Sequence, residues 1–139
     1  MAVETKYFEI DTAGNCDVID ITAAVSNAVE ESNIGNGTVT VFVPGSTAGI
    51  TTIEFESGAV SDLKEVFSRL VPEDKFYAHN ERWGDGNGHS HIRASLLGPS
   101  FSIPFSSSRL ILGTWQQVIL VDFDNRPRKR EIILQITGE

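Results

Sequence analysis

The sequence predicts an α+β fold: a small β-rich sandwich of mostly antiparallel strands, with two amphipathic helices covering one face. Three observations predict it. Two segments carry apolar residues at helical spacing, and both lie in the first half of the chain. Strand-like runs of β-branched and aromatic residues crowd the second half. The helices do not alternate regularly with the strands, which argues against a doubly wound parallel sheet.

Taken in order, Tyr7 to Ile10 alternates and reads as a first strand. Ile21 to Ser32 reads as a helix, because Ile21, Ala24, Val25, Ala28 and Val29 fall on one helical face. Asp20 is its expected N-cap, offering a carboxylate to the free amides of the first turn. Gly35-Asn36-Gly37 stops it. Thr38 to Val43 and Ile50 to Phe55 read as strands around the small-residue loop Pro44 to Gly49. A second helix, Val60 to Leu70, shows a stripe of Val60, Leu63, Val66, Phe67 and Leu70, and Pro72 ends it. Ile92 to Leu97, Ser102 to Phe105, Arg109 to Leu112, Gln117 to Phe123 and Glu131 to Ile136 read as strands. Asp124 to Pro127 is expected to turn a hairpin between the last two.

The length of 139 residues suits one domain, 1–139, with no repeat or linker. No apolar run reaches the roughly 18–20 residues that span a bilayer, and Met1 to Glu9 has no signal-like apolar core. The single cysteine, Cys16, cannot form an intrachain disulfide and reads as structural. A cytoplasmic protein without a membrane partner is expected. The net charge of −8 argues against a broad nucleic-acid footprint.

Function is expected between Tyr77 and His91. All three histidines, His79, His89 and His91, lie there, interleaved with Asp85, Asn87 and three glycines. If His89-Ser90-His91 begins a strand, His89 and His91 share a face about 6.6 Å apart along it, a spacing that chelates a metal. His79 or Asp85 would complete the ligands, in a site open to water or substrate. A polar site without tight metal, or one exposed and one structurally bonded histidine, fits the same residues. Asp85 and Asn87 suit magnesium, or a simple turn. Ser46 and Thr47 sit in a loop able to cradle an anion, although no Walker motif follows and a tight connection is the ordinary explanation. Glu54 and Glu56 share a face, lining a site or meeting water. Trp115 reads as a core anchor, and Gln116 or Gln117 can orient a ring or phosphate. Arg126 to Arg130 reads as a solvated tip, or as a phosphate grip reaching a neighbouring subunit.

Taken together, these motifs resemble the YjbQ-like family, also described as secondary thiamine-phosphate synthases. The matching pieces are Pro44 to Ile50 with Glu54; Asp62; Tyr77-Ala78-His79; Asp85 to His91; Leu97 to Ser100; and Leu112 to Gln117 with Arg126 to Arg130. The resemblance implies a small α+β sandwich, a homotrimer, and a transferase joining a pyrimidine diphosphate to a thiazole phosphate. It implies His79, His89, Asp85 and Asn87 in catalysis. His79, His89, His91 and Asp85 would hold a divalent metal, zinc or magnesium. Ser46, Thr47, Gln116, Arg128 and Arg130 would bind the phosphorylated substrate. Many family members carry a histidine just after the first loop's proline, where this chain has Gly45. The alternative is a trimeric protein that binds a metal or phosphorylated metabolite without significant catalysis.

Overall fold

Strand pairing ties the two ends of the chain together. In the computed structural model, which describes residues 1–139, β1 (Ala2–Thr12) runs antiparallel to β8 (Arg128–Gly138), Ala2 opposite Gly138 and Thr12 opposite Arg128. On its other side β8 pairs with β3 (Gly37–Phe42), β3 with β5 (Ser100–Ser106), and β5 with the short β6 (Arg109–Leu110), all antiparallel. A second sheet places β7 (Gln117–Asp122) between β2 (Asp17–Asp20) and β4 (Ala48–Ile53).

The layers follow from side-chain alternation. In β8, Ile132, Leu134 and Ile136 point inward at every second position and are buried. They meet Val39 and Val41 of β3, Ile103 and Phe105 of β5, and Val118 and Leu120 of β7 in the main core. Helix α1 (Thr22–Glu31) inserts Val25 and Val29 into this core. The opposite face of β7, carrying Ile119 and Val121, continues through Phe123 into a smaller core. There it packs on Phe67 of α2 (Ser57–Leu70) and Ala94 of α4 (Gly88–Leu97). Because β7 is buried on both faces, it reads as a continuous apolar run. The result is sheet on sheet with helices over part of the outer face.

Four helices form rather than two. The stretch Ile92 to Leu97, read as a strand, is the body of α4, and α3 (Ala78–Trp83) precedes it. β2 was also not expected; it is only four residues long. The expected hairpin at Asp124 to Pro127 is instead a crossover, since β7 and β8 belong to different sheets. Asp20 bonds the Thr22 amide and hydroxyl from just before the N-cap, Ile21. Glu56 caps α2, taking the amides of Gly58 and Ala59 at 2.7 and 2.8 Å; these bonds hold its carboxyl below its ordinary value. Trp115 is 73% exposed and is no core anchor. No helix is long and apolar enough to cross a membrane.

Candidate functional site

Helix α4 begins against the end of β7. Ser90, fully buried, donates its hydroxyl to the Phe123 carbonyl at 2.6 Å and also to Asn87 Oδ1. The Asn125 amide reaches the same Asn87 oxygen at 3.2 Å. Asn87 thus fixes the start of α4 to the segment after β7. The Asn125 side chain holds the Asp85 carbonyl at 2.8 Å, which orders the loop before the helix.

Helical geometry then separates the two neighbouring histidines. Residues two apart on a helix differ by about 200° around its axis, so His89 and His91 cannot share the face a strand would have given them. His89 is buried and lines a cleft with Arg93, one turn on, and with Lys64 and Ser68 of α2. His91 lines a different pocket, of about 250 Å³, between α4 and the loop carrying Gly45 and Ser46. The common hollow expected for all three histidines is therefore divided by α4.

On the His91 side, α3 brings His79 close. The two rings lie 4.4 Å apart between centroids, tilted by 40°. Asp85 Oδ1 stands 3.5 Å from His79 Nδ1. Burial pushes the His91 imidazole below its ordinary value, and the His79 charge pushes it further. A neutral ring keeps a nitrogen lone pair free for a proton or a cation. Two ligands of one zinc ion at about 2.1 Å stand about 3.4 Å apart in tetrahedral geometry, so the His79–Asp85 separation and the donor types suit such an ion. No three His, Cys, Asp or Glu side chains gather closely enough to close a metal site. Asp85 lies between Gly84 and Gly86, both left-handed with open space around them, so its loop has room to adjust.

Beneath the Gly45 loop lies a buried ionic network, where the sequence suggests a solvated tip or a phosphate grip reaching a neighbouring subunit. Arg130 grips Asp122 with two bonds of 2.7 and 2.9 Å and reaches Thr47 Oγ1 at 2.7 Å. Thr47 donates to Asp124 at 2.9 Å, and Arg128 binds the same carboxylate at 2.9 and 3.0 Å. Thr12 donates to Asp122 at 2.6 Å. Burial raises the Asp124 carboxyl, but the bonds from Thr47 and Arg128 outweigh it, and the net direction is down. Arg130 follows Arg128 and precedes Ile132 at every second position of β8, so the alternation itself marks it as inward. The partners Asp122 and Asp124 were missed because one falls inside the apolar run Gln117 to Phe123 and the other in the expected turn Asp124 to Pro127.

Gly45 touches this network. Its φ is +114°, and a Cβ there would stand 3.1 Å from Arg130 Nη1. The bare backbone lets that amino group come close to the loop, although Arg130 itself does not line the pocket. Gln116 uses its amide within the chain, accepting from the Gly113 amide at 3.0 Å and donating to Thr52 at 3.3 Å. It lines neither cavity.

Fold and geometry together define a small two-sheet α+β protein with a small pocket lined by His91, a second imidazole paired with that ring, and a buried guanidinium close to Gly45. A family model described as "UPF0047 protein YjbQ-like" matches residues 6–139. The chain belongs to that family. It is 38% identical over its whole length to a UPF0047 protein of Methanothermobacter thermautotrophicus, covering 95% of that protein. It is 34% identical to YugU of Bacillus subtilis, covering 96% of this chain and 98% of that one. A hypothetical protein from Aeropyrum pernix superposes with a TM-score of 0.90 at 32% identity, over 98% of this chain and 99% of that one. A YbjQ-like protein of unknown function from Sulfolobus solfataricus gives 0.89 at 31%, over 99% and 100%.

Proposed function

We propose that the pocket between α4 and the Gly45 loop binds a phosphorylated small molecule together with a divalent cation. The chemistry we assign to it is transfer of thiamine-phosphate synthase type. In that reaction the thiazole nitrogen forms a bond to the pyrimidine methylene. The bond from that carbon to the diphosphate oxygen breaks, and pyrophosphate leaves with the electron pair. The observation that carries the reading is the pairing of His79 with His91, 4.4 Å apart, with Asp85 beside His79 and with His91 lining the pocket.

A bound zinc or magnesium ion would supply charge to offset the departing pyrophosphate. The chain's own residues do the rest. His79, His91 and Asp85 would hold the cation only after the Gly84–Gly86 loop adjusts, since as they stand they do not close a metal site. Ser46 offers a hydroxyl at the pocket wall. Arg130, held by Asp122 and Thr47 with Nη1 close to Gly45, would lend positive charge to a phosphate bound at that loop. Arg128 adds positive charge beyond it. Asn87 positions the helix that carries His91, and Gln116 shapes the turn before β7.

A second reading, binding without turnover, is favoured by size. Drug-sized ligands occupy cavities of about 300–1,000 Å³, and this pocket, at about 250 Å³, suits one phosphorylated ring rather than two. The test combines metal titration by calorimetry with product analysis after incubation with both substrates. His79→Ala and His91→Ala should each abolish metal binding and product while preserving the circular dichroism spectrum. Wild-type metal affinity and turnover in both variants would refute the site. Metal and substrate binding with no product over hours would select the binding protein.

A further inference from the structure

We infer that the cleft on the other side of α4 is a second binding site, for a small anion bearing a carboxylate or phosphate group, with Arg93 as its anchor. The cleft measures about 710 Å³, within the range of ligand cavities, and is lined almost wholly by polar residues. Arg93 is 6% exposed, yet its only hydrogen bond runs from Nε to the Val71 carbonyl at 2.9 Å. That bond closes the C-terminal end of α2 and uses one donor of five. The remaining donors, on the two terminal amino groups, have no partner within the chain, and no carboxylate lies within ion-pairing reach.

The two terminal amino groups of Arg93 are not fully buried, so they open on the cleft; a largely buried charge without a counterion is costly, and such side chains are ordinarily paired. A guanidinium turned toward a polar cleft finds its pair in a ligand oxyanion, which its fork matches with two parallel bonds. Lys64 brings a second cation to the cleft, and Ser68 and Asn15 bring neutral donors. His89, on the same face of α4, also lines it, and its buried Nδ1 is unpartnered. Glu73 and Asp74, both exposed and unpaired, also line the cleft. A ligand with an amino or hydroxyl donor besides its acid group would satisfy both kinds of charge. None of these groups belongs to the His79–His91 pocket, so this site stands or falls independently of it.

Calorimetric titration with inorganic phosphate and, separately, acetate tests the idea and distinguishes phosphate from carboxylate recognition. Cys16 lines the cleft and is the chain's only cysteine; it is 6% exposed and burial pushes its thiol up, so slow alkylation by iodoacetamide at alkaline pH reports opening of the cleft, which a bound ligand retards. Saturable binding of at least one anion is expected, with slowed alkylation. Removal of the bidentate anchor in Arg93→Gln should weaken binding about tenfold or more. Lys64→Gln, at an exposed position, should weaken it several-fold without unfolding the chain, and decides the matter if Arg93→Gln does not fold. His91→Ala, across α4, should leave the protection of Cys16 unchanged. The inference is overturned by no binding of either anion, by affinity unaltered in the folded Arg93 and Lys64 variants, or by protection that disappears in His91→Ala.

Discussion

Arg130→Gln removes the cation at the centre of the buried network while preserving much of its length. Asp122 is fully buried and receives two charge-assisted bonds from Arg130. Without them it retains the Thr12 hydroxyl and the Asp124 amide. Two such bonds at about 1.5–3 kcal/mol each give about 3–6 kcal/mol, in line with about 3–5 kcal/mol for stripping one partner from a buried ion pair. For a chain of this size that lowers the melting temperature by about 10–15 °C. Urea unfolding followed by tryptophan fluorescence and circular dichroism measures it, with an unchanged m-value as the check on two-state behaviour. Asp122→Asn combined with Arg130→Gln should recover about 1 kcal/mol or more, since the orphaned charge is then gone. A loss below about 1 kcal/mol in the single variant would show that water or a neighbour satisfies Asp122, and the argument from burial would fail.

Two other outcomes are expected. Gly49→Ala places a Cβ 2.7 Å from the Gly98 carbonyl oxygen and 3.0 Å from Leu97 Cβ. It should cost about 1–3 kcal/mol by forcing α4 away from β4, and an unmoved urea midpoint contradicts that packing. The second concerns acid. His89 and His91 both lie below their ordinary value of 6.5, chiefly through burial. The unfolded chain therefore takes up protons before the folded one does. Stability should be level above about pH 7 and fall as pH drops through 6.5 toward the depressed folded values. His89→Gln should make that fall shallower, and chemical denaturation across the range checks it; a flat or rising profile would show that neither ring is held neutral.

Much of the sandwich was legible because its signals are local. Val25 and Val29 sit at helical spacing and are fully buried in α1. Ile132, Leu134 and Ile136 alternate and are buried in β8. Helix α4 was illegible for a physical reason. Its buried residues are Gly88, His89, Ser90, Arg93 and Ala94, so it packs a mostly polar face and shows no apolar stripe. Helix α3 buries nothing and offers no periodic signal. Both helices belong to the candidate site, where chemistry displaces the residues that patterning relies on. The segment holding the histidines could be found by composition, but its division into two cavities depended on the helical twist. Arg130 was recoverable from the period of β8 had the strand been started at Arg128 instead of Glu131.

The union of β1 with β8 has a consequence for how the molecule is made. During synthesis the first strand emerges long before its partner, Arg128–Gly138, exists. The large sheet can be completed only by closing a loop of nearly the whole chain, and such non-local topologies fold on the slow millisecond-to-second scale. Until then β1 must wait with its backbone unsatisfied, exposed to any chaperone, or to any nascent neighbour, that offers an edge.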